Sequence, residues 1–185
     1  MSALRLAVII GSNREGRFGP TVANWFAEQA QQFGDVDVID LAEIPLPTII
    51  GTPADQHVTE LAGRLAAADA YVVVTPEYNH SFPAALKNAI DLYRAEWQAK
   101  PVGFVSYGGM GGGLRAVEQL RLVFAELHAT TVRDTVSFHN AWDRFDESGA
   151  PIDEGSNAAA KGMLAQLSWW ARALRSARTA EPYTA

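Results

Sequence analysis

The 185-residue chain has no cysteine. Disulfides, thiolate zinc sites, cysteine-ligated iron–sulfur clusters and thiol nucleophiles are thereby excluded, so any redox work needs a borrowed cofactor. Basic charge is also scarce: 15 Lys and Arg stand against 21 Asp and Glu, for a formal net charge of -6 and a pI near 5.2. That balance argues against a broad phosphate-binding face for DNA or RNA but allows a local cationic pocket. No apolar run is long enough for a membrane span. The opening MSALRLAVIIGS is too short for a signal peptide and reads better as a first strand. A cytoplasmic protein with neither nucleic acid nor membrane as partner is the expectation. His57, His80, His128 and His139 show no metal-ligand spacing, so a metal site is not expected, and no repeat of fixed period is present.

What is present is a core. Hydrophobic residues make up 48% of the chain, enough for one domain, expected over residues 1–178 with a flexible tail at 179–185. The stretch Tyr71–Tyr93 organises the rest. Tyr71 to Thr75 are aromatic or β-branched without polar alternation, as in a strand covered on both faces. Pro76 stops that strand, Glu77 to Ser81 put polar groups where it leaves the sheet, and Pro83 opens a helix carrying Leu86, Ala89, Ile90 and Tyr93. Strands are also expected over Arg5–Ile10, Val36–Leu41, Val102–Ser106 and Thr131–Phe138. Helices are expected near Thr21–Phe33, Val58–Ala68, Leu114–Leu127 and Ala158–Arg178. The proline-rich connector IPLPTIIGTPAD reads as a lid, an interface arm or plain packing over the sheet. Five strands alternating with five helices imply an α/β fold, a flavodoxin-like doubly wound parallel sheet of order 2-1-3-4-5 with helices on both faces. In that order the loops Gly11–Pro20, Pro76–Ser81 and Ser106–Gly113 meet at one crevice.

The first loop nearly spells a P-loop, with Gly11 and Gly16 four residues apart. Arg17 in place of lysine and Phe18 in place of the magnesium-binding hydroxyl argue against a nucleoside triphosphatase. What survives is Ser12, the guanidinium groups of Arg14 and Arg17, and a helix start near Pro20, a set suited to a terminal phosphate. The alternative is a solvated loop whose arginines pair with carboxylates. Gly111, Gly113 and Ala116 fit G-x-G-x-x-A, but in the fourth βα turn rather than the first, so a dinucleotide fingerprint is discounted. Gly108 and Gly109 better serve close approach to a flat ring, unless the turn is simply flexible. Glu77 with Asp91 reads as solvated charge, because Asp91 lies down the third helix. Trp169 and Trp170 mark either a subunit interface or packing on the sheet.

GSNREGR after the first strand, PEYNHSFPAALKNAID after the third and SYGGMGGGLRA after the fourth resemble the NADPH-dependent FMN reductase family, which includes quinone, azo-dye and chromate reductases. The resemblance spans residues 4 to about 175, and the PEYN segment is its specific part. It implies a homodimer or dimer of dimers with one noncovalent FMN per subunit and NADPH or NADH as hydride donor. It puts the phosphate on Ser12, Arg14, Arg17 and the amides near Thr21 and Val22. The isoalloxazine would lie against Pro76, Glu77, Tyr78 and Asn79, with Ser106, Tyr107, Gly108 and Gly109 along its other edge. Many relatives carry a hydroxyl near Gly19, which has none here. The expected activity is ping-pong transfer from NAD(P)H through FMN to a quinone, flavin, azo compound or metal oxyanion. No protein acid or base is required, and Tyr78 and His80 are possible substrate contacts. Two other classes stay open: a flavodoxin-like electron carrier, and a catalytically silent flavin-binding protein.

Overall fold

The structure, a computed structural model, describes residues 3–49 and 56–184. Five parallel strands, β1 (Leu4–Ile10), β2 (Gly34–Asp40), β3 (Ala70–Pro76), β4 (Pro101–Gly108) and β5 (Thr130–His139), lie in the order 2-1-3-4-5. β3 is central and buried at each of its residues, which is why its sequence shows no alternation. Its Val72 and Val74 sit beside Val8 and Ile10 of β1 on one side, while Tyr71 and Val73 face Val102 and Phe104 of β4 on the other.

Two apolar layers enclose the sheet. On one face α1 (Gly19–Gln29) and α5 (Gly155–Ala180) cover Leu6, Val8, Val72, Val74 and Val105 with Val22, Phe26, Met163 and Leu167. On the other, α2 (Gln56–Ala67), α3 (Ala84–Asp91) and α4 (Leu114–Glu126) bring Leu61, Leu65, Leu86, Leu120 and Phe124 onto Ile9, Val73 and Phe104. Each of those large aliphatic or aromatic side chains contributes roughly 1.5–3 kcal/mol on leaving water, so the two layers supply most of the driving force for the fold.

Some boundaries move from those expected. α1 begins at Gly19 rather than Thr21, because Pro20 suits the first turn of a helix, where its missing N–H is no loss. It ends at Gln29 and passes into a 3-10 turn, Ala30–Gln32, so Phe33 lies outside the helix. α5 starts at Gly155, whose N–H donates to the Asp153 carboxylate at 2.8 Å, and runs through Ala180. The expected tail therefore begins inside a helix, and the Tyr183 hydroxyl meets His128 Nδ1 at 2.7 Å. In the connector, Ile44 and Leu46 pack against the second core and Asn88 donates to the Pro47 carbonyl at 3.0 Å. That segment thus packs over the sheet as far as it is described; its residues 50–55 lie outside the described residues.

The two marginal strands are each met by an arginine from a neighbouring helix. Arg64 of α2 donates to the Val38 carbonyl at 2.8 Å and grips Asp37 through two bonds. Arg121 of α4 donates to the carbonyls of Val132 and Arg133 at 2.7 and 3.0 Å. No helix among the described residues is long and apolar enough to cross a membrane.

Candidate active site

The carboxyl ends of β1, β3 and β4 are stitched together where their loops depart. Gly11 N–H donates to the Val74 carbonyl at 2.9 Å, and Glu77 N–H to the Tyr107 carbonyl at 3.2 Å. Ser12 is fully buried, and its hydroxyl shares a 2.7 Å hydrogen bond with the Tyr78 hydroxyl. It also accepts from Arg14 N–H at 3.3 Å, which curls the loop. Arg14 itself is exposed. Arg17 folds inward and forms an ion pair with Asp40, the last residue of β2 and the register partner of Ile10. Carboxylate pairing of a loop arginine is therefore real for Arg17, but it occurs inside the crevice, with the two side chains only 19% and 13% exposed.

At the start of α1, Thr21 is half-buried and Val22 packs into the core. Val22 N–H is engaged by the Phe18 carbonyl at 3.4 Å, because the earlier helix start makes it the fourth helical residue. Its amide is not free for a ligand, and the amides ahead of it, at Gly19 and Thr21, are the ones a helix leaves without partners.

The β3 loop closes as a tight turn, with reciprocal bonds between Tyr78 and Ser81 of 2.9 and 3.0 Å. Asn79 and His80 both take positive φ, 50° and 67°, the geometry of a type I′ turn. The turn is fastened to α4. Gln119 donates to the His80 carbonyl at 2.7 Å and accepts from the Ser81 hydroxyl at 2.5 Å. Glu77 accepts from both the backbone N–H and the guanidinium of Arg115, at 3.2 and 2.6 Å. The Glu77 carboxylate thus faces α4, while Asp91 pairs with Lys87 one turn away, so the two acids do not act together.

In the β4 loop, Ser106 is fully buried and donates to the Gly112 carbonyl at 2.8 Å; Ser137 of β5 donates to the same oxygen at 2.7 Å. Gly112 and Gly113 have φ of 59° and 84°, and a Cβ on Gly113 would stand 2.6 Å from that of Ser106, so only glycine passes there. Gly108 and Gly109 are half-exposed, and a Cβ on Gly109 would find only the Trp142 ring, at 4.0 Å. The turn is held by Asn140 N–H on the Gly109 carbonyl and by His139 Nδ1 on that of Met110, at 2.9 and 2.7 Å.

Tyr107 brings its backbone, and not its side chain, to the rim of the crevice. Its side chain leaves the crevice rim and runs into the face covered by α1, edge-on to Phe18 with ring centroids 6.3 Å apart. Among the described residues, two buried side-chain polar atoms have no hydrogen-bond partner, and both are here: Arg17 Nε and the Tyr107 hydroxyl. Burial pushes the Tyr107 phenol well above its ordinary range, with Tyr78 and Asp40 adding to the rise and Arg17 opposing it.

Beside these loops lies a cleft of about 560 Å³, lined by Asn13, Leu41, Ile44, Leu46, Tyr78 and Asn88 among others. A larger groove of about 730 Å³ runs along the β5 margin between α4 and α5, past Arg121, Arg133 and Asp134. Only the smaller cleft touches the strand-end loops, through Asn13 after β1 and Tyr78 after β3.

Residues 4–143 match the family described as NADPH-dependent FMN reductase. The chain belongs to that family. It is 38% identical over 175 residues to a quinone reductase of Escherichia coli, an alignment covering 87% of this chain and 92% of that protein. It is 39% identical over 120 residues to an NAD(P)H-dependent FMN reductase of Schizosaccharomyces pombe, covering 59% of this chain and 60% of that relative's length. Its fold matches that of FerB, a flavoenzyme NAD(P)H:(acceptor) oxidoreductase from Paracoccus denitrificans, with TM-score 0.70, 24% identity and coverage of 92% and 98% of the two chains. Members of the FMN reductase family are oxidoreductases that use FMN and NAD(P)H, and this chain is one of them.

The residues present fit that cofactor. A buried hydroxyl, an inward guanidinium with an unpaired N–H and the start of α1 form a small donor-rich end; the side-chain-free Gly108–Gly109 turn and the Pro76–Tyr78 strand end form a flat one. Reading the sequence alone missed Asp40, which orients the first loop, and Arg115 and Gln119, which orient the β3 loop. It also missed Phe145, whose ring lies 5.3 Å from Phe18 and braces the first loop from the segment after β5. Asp40 carried a usable signal: once β2 is placed beside β1, its last residue must flank the first loop.

Proposed function

We propose that this FMN reductase family member is a quinone-reductase-type enzyme that holds FMN across the three loops, with its phosphate at the start of α1 and its ring along Pro76–Asn79 and Gly108–Gly109. The observation carrying this reading is that a donor-rich end and a flat, side-chain-free end occur in one crevice, with Tyr78 between them. Bound there, FMN would supply hydride acceptance from NAD(P)H and delivery to a quinone, free flavin or similar acceptor at the same face, in ping-pong order.

The chain's residues bind and orient. Ser12, Arg14, Arg17 and the Gly19 and Thr21 amides serve the phosphate. Tyr78 N–H is already engaged by Ser81, which leaves the Asn79 and Gly109 amides as the backbone donors for negative charge on the ring. The exposed imidazole of His80 is open to an acceptor oxygen. The exposed Trp169 and Trp170 on α5 support a homodimer or dimer of dimers.

The purified protein should show flavin absorbance or acquire it with added FMN. Anaerobic mixing with NADPH or NADH should bleach those bands directly, and a quinone should restore them. Failure to take up FMN would defeat the reading. Uptake without bleaching by either nucleotide would make the protein an electron carrier.

A further inference from the structure

We propose that the Tyr107 hydroxyl is a ligand of the FMN phosphate, working with Arg17 Nε at the start of α1, and that it makes this site selective for phosphorylated over unphosphorylated flavin. The inference rests on the FMN reading above and assigns to Tyr107 a different end of the cofactor from the ring edge.

Four observations carry it. First, Tyr107 is 5% exposed, yet its hydroxyl has no partner in the protein. A buried hydroxyl left unpaired is costly and uncommon, so its donor is available to something the chain does not itself supply. Second, the hydroxyl lies at the backbone of Gly19, where a Cβ would sit 2.9 Å from it, and Gly19 is the first residue of an 11-residue helix whose leading amides attract anions. Third, the other unpaired buried atom, Arg17 Nε, belongs to the same loop, and the guanidinium is turned inward by its bond to Asp40. Fourth, burial keeps the phenol protonated throughout the physiological range, so it can only donate to a dianionic group.

The groups facing the hydroxyl are consistent with this. Arg17 offers positive charge, Asp40 is occupied by Arg17, and the Tyr78 hydroxyl is occupied by Ser12. Gly19 and Tyr107 form a complementary pair: the missing side chain at the helix start is the space into which the tyrosine reaches from β4. The hydroxyl thus reaches the first loop from a strand two positions across the sheet.

The test is titration of the flavin-free protein with FMN and, separately, with riboflavin, which lacks the phosphate, followed by quenching of flavin fluorescence. Tyr107→Phe keeps the ring against Phe18 and removes only the hydroxyl. Affinity for FMN should fall by about tenfold or more, the scale of a hydrogen bond to a charged group. Affinity for riboflavin should be unchanged, and the thermal midpoint of the flavin-free variant should be no lower than that of the parent. Equal losses for the two flavins, or no loss for either, would overturn the assignment. If the variant does not fold, a crystal structure of the wild-type FMN complex decides: the Tyr107 hydroxyl must lie within hydrogen-bond distance of a phosphate oxygen, and any other placement overturns the proposal. Wild-type protein that binds neither flavin would instead defeat the FMN reading itself.

Discussion

Arg17 shows how much a single side chain must reconcile. Its terminal nitrogen is committed to Asp40 while Nε stays buried and unpaired, so the guanidinium is already oriented before any anion arrives. Preorganisation of this kind reduces the ordering cost of binding. Arg17→Ala should weaken FMN binding by about tenfold to a hundredfold, the equivalent of losing roughly 1.5–3 kcal/mol from a charge-assisted hydrogen bond. The far-UV circular dichroism spectrum should not change. Flavin titration checks this, and unaltered retention would remove Arg17 from the phosphate end. Arg17 could be picked out of the sequence because a cation beside a glycine loop and a helix start already suggests an anion. Its partner was passed over: Asp40 is 23 residues away and meets it only through the pairing of β1 with β2, so finding it takes the strand order as well as the motif. The buried serines tell a similar story. Ser106 looks like a ligand in the sequence, yet its hydroxyl and that of Ser137 converge on the Gly112 carbonyl, where they fix a turn.

Among the elements, α4 governs the β3 loop. Arg115 and Gln119 lie four residues apart on one helical face and reach Glu77, His80 and Ser81, so the tight turn is clamped at both ends. Arg115→Met should leave the half-buried Glu77 carboxylate with only the backbone N–H of residue 115. We expect a loss of about 1 kcal/mol, equivalent to a fall of roughly 2–4 °C in thermal midpoint for a chain of this size. Hydrogen exchange should accelerate at the amides of residues 78–81 while those of β3 remain protected. Equal acceleration in both would mean that the clamp serves the whole fold and not the turn. Strands and helices were readable because their apolar periods are unbroken: the run Tyr71–Thr75 has no polar interruption, and Leu114, Val117, Leu120 and Phe124 recur every three or four residues. The turn was harder to read. Type I′ geometry is usually announced by Asn-Gly, and here His80 holds the second left-handed position without glycine's freedom, with its carbonyl tied to Gln119.

At the scale of the whole molecule the two rims of the sheet divide their labour. The carboxyl rim gathers the crevice loops; the amino rim gathers charge that binds helices to strands. There Lys100 is 6% exposed and donates to the carbonyls of Leu65 and Ala66, at 2.9 Å each, and to the Tyr71 hydroxyl at 3.0 Å, closing the end of α2. Arg175 and Arg178 of α5 meet Asp69, whose carboxylate also accepts from Arg5 N–H. Burial, reinforced by repulsion from Arg178, lowers the Lys100 ammonium to about 8. Its folded value is thus below its unfolded one, so between about pH 8 and the ordinary lysine range the unfolded chain binds more protons. Stability from this group is therefore greatest at high pH and is lost as pH falls through about 8. In urea titrations, stability relative to Lys100→Met should rise from pH 8 to pH 10 in favour of the wild type. A difference that stays flat across that range would show that Lys100 is not titrating there.

The arginines laid along the two outermost strands have a consequence for crowded solutions. Arg64 and Arg121 occupy one carbonyl of β2 and two of β5, so a strand from another molecule would meet acceptors already in use along part of either edge. Adding a foreign strand at either edge would first have to break these bonds, which makes each edge a poorer template for growth.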